Sequence, residues 1–290
     1  MSWYEAPVMN ATSDPTLPLL ARLARLADCA RSEGFACINA RHEHGAQSVD
    51  VPQPQLAILL QGSKQVRCDG QTLLLQPGDV LLVTRACRMD VVNVPDPHSG
   101  LYRTVIVPLC AEVLAAARGL WQEPLPPAGG AVAAVALSPL GGELVRWQDA
   151  LTEARYAEAR LSLAALVLDL CRQGHGALLL PPPPSLASEL RALVAAQPAR
   201  DWQSRDFEAA FGLSGATLRR RLAEEHTGLR ELVADARLAE AMALLYTTRL
   251  PLKSVAARVG YRSVGSFSRR FQARYQLDPA LIGNAARAAA

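Results

Sequence analysis

The sequence predicts two domains: a mainly-β barrel with flanking helices, then an all-α domain built on two helix-turn-helix units. Three observations predict this. Half of the 290 residues are apolar, enough for two separate cores. Short apolar runs divided by Asp-Gly and Pro-Gly turns occupy the first part, whereas apolar residues at four-residue spacing occupy the last third. Between them stands Pro181-Pro182-Pro183-Pro184, a semi-rigid spacer without amide donors. The boundaries read as 1–180, 181–185 and 186–290.

Taken in order, the opening MSWYEAPVMNATSDP has no basic stretch followed by an apolar run, so an export signal is not expected. No run of about 18 apolar residues suggests a membrane span. A cytoplasmic protein is expected. Cys29, Cys37, Cys68, Cys87, Cys110 and Cys171 all precede the spacer, and none forms a C-x-x-C pair. They read as reduced, small core residues, with redox sensing as the lesser reading.

His42-Glu43-His44 places two imidazoles on one side of a strand, a spacing that metal-binding barrels use. Such a site would also need a carboxylate shortly after and a histidine beyond Pro77-Gly78-Asp79. Ala46–Val49 lacks the first, and Leu81 stands in place of the second. Asp50 and His98 remain, without the spacing. A surface histidine pair is expected, with no metal, no cofactor and no catalysis. No G-x-S-x-G, G-x-G-x-x-G or phosphate-loop motif occurs.

Leu56–Leu60 is a short apolar run. Val66-Arg67-Cys68 and Gln71-Thr72-Leu73 flank Asp69-Gly70, a two-residue hairpin signal. Pro77-Gly78-Asp79 turns into a strand over Val80–Val83. Asn93–Gly100 reads as a polar loop, and Tyr102–Leu109 as a further strand. Lys64 is the only lysine before the spacer. On or near a strand, it could pair with an acidic effector, the alternative being a solvent-facing side chain. Glu143–Cys171 reads as helices, with Leu144, Trp147 and Leu151 at helical spacing.

After the spacer, Phe207–Leu222 gives a short helix, a turn at Gly212, Ser214 as N-cap and a second helix. Leu218 and Leu222 face inward, with Ala216, Arg219 and Arg220 on or beside the outer side. A long helix follows, with Leu232, Ala236, Ala241 and Leu245 on one flank, unbroken until Pro251. Leu252–Phe271 repeats the plan. Val255 and Val259 share one side, Gly260 ends the helix, and Ser263 caps the next. Phe267, Phe271 and Tyr275 recur every four residues, leaving Arg262, Gly265, Ser266 and Arg269 opposite. An aromatic inner stripe with small and guanidinium residues outside suits a helix in the DNA major groove. An amphipathic surface helix is the plainer alternative. Two units joined by a stiff helix could enter groove faces about one turn, roughly 34 Å, apart.

Charge follows the same division. From Ser185 onward 16 Lys and Arg stand against 10 Asp and Glu, and from Arg249 eight basic residues stand against Asp278 alone. Concentrated in one small domain, this is the footprint of phosphate binding.

These residues carry a resemblance. S-x-x-T-L-R-R-R-L, then A-R-L-x-x-A-x-x-L-L, then S-V-A-x-x-V-G-Y-x-S-x-x-S-F-S-R-R-F together resemble the C-terminal module of AraC/XylS-type transcriptional regulators, from about Leu186 to Ile282. Gln276 replaces the family's usual glycine in the closing G-x-x-P, and Ala280-Leu281-Ile282 departs from its usual tyrosine and arginine ending. L-L-Q-G-S-K-x-V and L-Q-P-G-D-V-L-L-V resemble the cupin-like N-terminal domain of many members. The resemblance implies a sequence-specific transcriptional regulator, an activator by family habit, acting on promoter DNA with RNA polymerase. Its N-terminal domain would sense a small-molecule effector and pair two copies through the helices around 143–171. The alternatives are control by a regulatory protein partner, and, less favoured, a metal-dependent cupin enzyme fused to a DNA-binding domain. Arg219, Arg220 and Arg269 are expected to read bases. Ala216, Thr217, Val264, Gly265 and Ser266 allow close approach, and Arg262 and Arg270 hold phosphates.

Overall fold

The computed structural model describes residues 16–27, 34–127, 129–182 and 185–282. Cys29, Pro183 and Pro184 lie outside the described residues. Helix α1 (Thr16–Ala27) precedes strands β1 (Ala36–Ala40), β2 (His44–Val51), β3 (Gln55–Gln61), β4 (Ser63–Cys68), β5 (Gln71–Leu75), β6 (Asp79–Val83), β7 (Cys87–Val94) and β8 (Tyr102–Pro108). Helix α2 (Ala111–Leu120), strand β9 (Val132–Ala136) and helices α3 (Gly141–Thr152) and α4 (Tyr156–Leu170) complete this part. After the spacer come α5 (Leu186–Ala196), α6 (Ser204–Phe211), α7 (Gly215–Glu224), α8 (Leu229–Thr247), α9 (Leu252–Arg258), α10 (Val264–Tyr275) and α11 (Pro279–Ile282).

The strands form two antiparallel sheets, β1-β8-β3-β6-β9 and β2-β7-β4-β5. Alternation along the first sheet decides its two faces. Leu56, Ile58, Val80, Leu82, Val105 and Val107 join a core with α1, α2, α3 and α4, in which Trp147 and Leu166 are buried. Ala57, Leu59, Leu81 and Val83 point the other way, against Val66, Cys68, Met89 and Val91 of the second sheet. A strand covered on both faces reads as a continuous apolar run, which is why Leu56–Leu60 does not alternate. At the β4–β5 hairpin Asp69 and Gly70 have φ of 49° and 77°, the mirror-image turn whose twist matches that of the strands.

The expected Asn93–Gly100 loop is shorter than its polar composition suggested. Asn93 belongs to β7, pairs with His44 of β2 and Lys64 of β4 in register, and is buried. In β2 the register shifts between Ala46 and Val49. Ser48 sits at φ 50° within this bulge, its amide donating to Asp90 Oδ1 at 2.9 Å. A bulge re-aims the backbone around it, and here Ser48 turns its carbonyl toward α10.

The helical part has two cores. Leu190, Val194, Phe207, Leu218, Leu222, Leu232 and Ala236 form one, around the first helix-turn-helix unit. Met242, Leu245, Tyr246, Val255, Val259, Phe267, Phe271 and Tyr275 belong to the other, which runs on without interruption into the space between the two sheets. Helix α8 therefore has its first half in one core and its second half in the other, and packs on β1, while α10 packs on β2. No described helix is long and apolar enough to cross a membrane.

Candidate nucleic-acid interface and a buried polar joint

Both units are built by local signals. In the first, Gln203 and Asp206 form a reciprocal capping box at the start of α6. Gly212 ends α6 at φ 62°, and the Ser214 hydroxyl accepts from the Thr217 amide at 3.2 Å to start α7. Trp202 stacks on Phe207 with ring centroids 5.1 Å apart. In the second, Gly260 ends α9 at φ 83°, and a Cβ there would lie 3.0 Å from the Pro198 carbonyl oxygen. Conformation and space both demand glycine at that place. The Ser263 hydroxyl accepts from the Ser266 amide at 3.2 Å to start α10. Phe267, Phe271 and Tyr275 are buried, with successive centroids 5.5 and 4.9 Å apart.

The expected readers stand where the periodicity put them relative to the core. Ala216, Arg219 and Arg220 on α7 are exposed and Thr217 is half-buried by its cap. On the second unit Arg262, Gly265, Arg269 and Arg270 are exposed, with Val264 and Ser266 half-buried. Arg220 is held at 2.5 Å by Glu224 one turn on, so it would have to exchange that carboxylate to reach DNA. Gln276, in the place of the family's glycine, takes the left-handed conformation at φ 55° and caps α10. Tyr275 and Leu277 are buried on either side of it, so the turn closes without glycine.

Arg274 departs from the other arginines of α10. It lies 15 % exposed and faces the β domain, donating to Asp50 Oδ2 at 2.7 Å, the Ser48 carbonyl at 2.8 Å and Asp235 Oδ1 at 3.3 Å. Arg88 of β7 completes the cluster, 2.7 Å from Asp50 and 3.4 Å from Asp235. Two guanidinium groups and two carboxylates thus balance across the boundary between the parts. The sequence did carry a signal. Arg274 follows Phe267 by seven residues, which returns it to within about 20° of the aromatic face.

A second polar cluster lies deeper. His44, expected in a surface pair, and Lys64, for which a solvent-facing side chain was the alternative to pairing with an effector, are both buried. The correction is physical: His44 shares a face of its strand with buried Ala46, and Lys64 shares one with Val66 and Cys68, and that face meets the other sheet. His42 is exposed and precedes β2, so the two imidazoles do not share a strand. Lys64 Nζ donates to Asn93 Oδ1 at 2.8 Å, and burial pulls its pKa down to about 8. His44 Nε2 lies 2.7 Å from the Tyr246 hydroxyl of α8 and 3.2 Å from Asn93 Nδ2, while Nδ1 lies 3.0 Å from the His42 carbonyl. Asp50 is occupied by the two arginines, and His98 is exposed in the loop around Asp96. Among the described residues no three His, Cys, Asp or Glu side chains come together as a metal site would require. Burial pushes the Cys87 thiol up to about 12 and the Cys171 thiol to about 11, so both stay protonated.

A protein-family profile described as "Helix-turn-helix domain" matches residues 208–282. Two curated relatives, uncharacterized HTH-type transcriptional regulators of Mycobacterium bovis and Mycobacterium tuberculosis, are each 44 % identical over 74 residues. That stretch is 26 % of this chain, and it spans only 22 % of each relative's length. Among solved structures, an apo lysine-to-alanine variant of ToxT from Vibrio cholerae superposes with a TM-score of 0.61 at 14 % identity, over 87 % of this chain and 97 % of that one. Wild-type ToxT with an unsaturated fatty acid bound gives 0.58 at 15 % identity, over 86 % and 94 %. The C-terminal region is a helix-turn-helix domain of the AraC type, carried on a chain with the two-domain fold seen in ToxT.

Proposed function

We propose that this chain is a sequence-specific DNA-binding transcriptional regulator, acting as an activator with RNA polymerase in the cytoplasm. The observation that carries the reading is the pair of capped helices α7 and α10, each seated on a buried apolar stripe with exposed arginines opposite. Arg219, Arg220 and Arg269 read base edges. Ala216, Thr217, Val264, Gly265 and Ser266 admit the close approach, and Arg262 and Arg270 hold phosphates. The test is footprinting on DNA upstream of the chain's own coding region. Protection of two blocks about one helical turn apart is expected; protection lost in neither the Arg219→Ala nor the Arg269→Ala variant would defeat the reading.

Control is assigned to a small carboxylate effector. A buried ammonium with a neutral amide as its oxygen partner is short of a counter-charge, and Lys64 is linked through Asn93 and His44 to α8 of the DNA module. ToxT has been crystallised with an unsaturated fatty acid and with a naphthalenyl-butenoic acid, both carboxylic acids. Lys64→Met should abolish the effector response while leaving unliganded DNA binding in place. Pairing of two copies falls to α4, where Leu161 and Tyr156 are 68 % and 49 % exposed. Leu161→Glu should shift sedimentation from dimer to monomer. A protein partner on the same flank is the second reading, favoured by these same exposed residues. It predicts that Leu161→Glu alters promoter response without changing the sedimenting species.

A further inference from the structure

The hydrogen bonds around His44 fit the neutral imidazole with its hydrogen on Nδ1. The His42 carbonyl can only accept, so Nδ1 carries the hydrogen and Nε2 is left with a lone pair. Asn93 cannot be turned over, because its oxygen takes the Lys64 ammonium at 2.8 Å, and its amide hydrogens therefore face His44. Nε2 accepts from that amide and from the Tyr246 hydroxyl. A proton placed on Nε2 would meet two donors in a buried site. The phenol could turn to accept it, but the amide could not.

The surrounding charges act in the same sense. Lys64 faces His44 from β4 and His42 from the turn before β2, while the groups from α8 and β8 are the phenols of Tyr246 and Tyr102, both kept neutral by burial. Burial first, with a smaller contribution from the Lys64 ammonium, holds His44 below its ordinary 6.5, against the His42 carbonyl, which raises it. The carboxylates of the same domain boundary, Asp50 and Asp235, are engaged by Arg88 and Arg274.

We propose that the His44–Tyr246 contact is an acid-sensitive joint: protonation of His44 releases α8, and with it the second helix-turn-helix unit, from the β domain. The imidazole of the closed joint is neutral. Closure is therefore at full strength above 6.5 and weakens as pH falls from there toward the lower value of the buried ring. At pH 5.5, one unit below, the loss reaches up to about tenfold.

Hydrogen exchange of the intact chain tests this without DNA, so its outcome is separate from that of the regulator reading. Protection in β2 and in the second half of α8, corrected for chemical exchange rates, should drop severalfold between pH 7.5 and 5.5. Helices α6 and α7, with their own core, should serve as the unchanged reference. His44→Gln, whose amide oxygen can still accept from Tyr246 but cannot titrate, should remove the pH dependence. A wild type with no drop, or a drop of equal size in His44→Gln, overturns the proposal. Should that variant fail to fold, Tyr246→Phe decides. Losing the phenol's bond to the lone pair should move the transition to higher pH, and an unmoved transition overturns the proposal equally.

Discussion

Phe267→Ala tests the facing of α10 and the continuity of the core at once. Phe267 is fully buried, touching the rings of Tyr261 and Phe271 with centroids 5.5 Å away in each case. Removing such a ring costs about 3–5 kcal/mol, the spread reflecting how far the neighbours can close on the gap. At about 1.4 kcal/mol per decade, opening of the second unit should rise by three decades or so. Because Phe267 shares one core with Leu59, Val66 and Met89 of the sheets, the β domain should lose protection too. The first unit, built on Leu218, Leu222 and Phe207, should keep most of its own. The assay is urea unfolding combined with hydrogen exchange resolved by peptide. An unchanged urea midpoint would show that Phe267 does not face inward. Uniform loss over α6, α7 and α10 alike would show that the two cores do not open separately.

Other expectations follow from the same structure. Arg269→Ala should cost about 1–3 kcal/mol of DNA affinity and relax preference at one base position, whereas Arg262→Ala should weaken all sequences alike and lower the salt slope by about one. Competition binding over single-base variants separates the two. Asp50→Asn removes a carboxylate that two arginines approach to 2.7 Å. It should cost about 1–2 kcal/mol in urea, after discount for partial exposure, and an unchanged midpoint would show that water replaces these pairs freely. Glu225 accepts from the Ser185 hydroxyl and the Leu186 and Ala187 amides at the start of α5. Burial raises its pKa, but these bonds prevail and hold it below its ordinary 4.5. Its contribution is present above 4.5 and lost as pH falls through the depressed value. Glu225→Gln should flatten that acid limb of the stability curve.

The two helix-turn-helix units were legible because their determinants are local. Gly212, Ser214, Gly260 and Ser263 act within a turn of their own position, and the Phe267–Tyr275 stripe repeats every four residues. The β domain was legible only where hairpin turns punctuate it, as at Asp69-Gly70. No hairpin turn joins β1, β7 or β9 to its partners, which lie further away along the chain: Ala36 pairs with Ile106, Val66 with Val91 and Asp79 with Ala136. The buried joint was hidden for the same reason, since His44 and Tyr246 are 202 residues apart. Lys64 and His44 look like surface residues by type alone. Only the pairing of β4 and β2 with β7 shows them turned inward, toward Asn93. Glu225 as a cap for α5 had no sequence signal, because it reaches back 39 residues to the Leu186 amide.

The proline spacer marks where the composition changes, but the mechanical seam of the molecule runs elsewhere. A fragment starting at Ser185 would bare the flank of α8 that carries Met242 and Tyr246, together with the side of α10 that Arg274 tethers to Asp50. Such a piece would be prone to stick to itself, and grafting it onto a foreign sensor would demand a replacement for the sheet surface it lost. A cleaner partition would follow the middle of α8, leaving α5 to α7 as one swappable cassette and the remainder as a single machine.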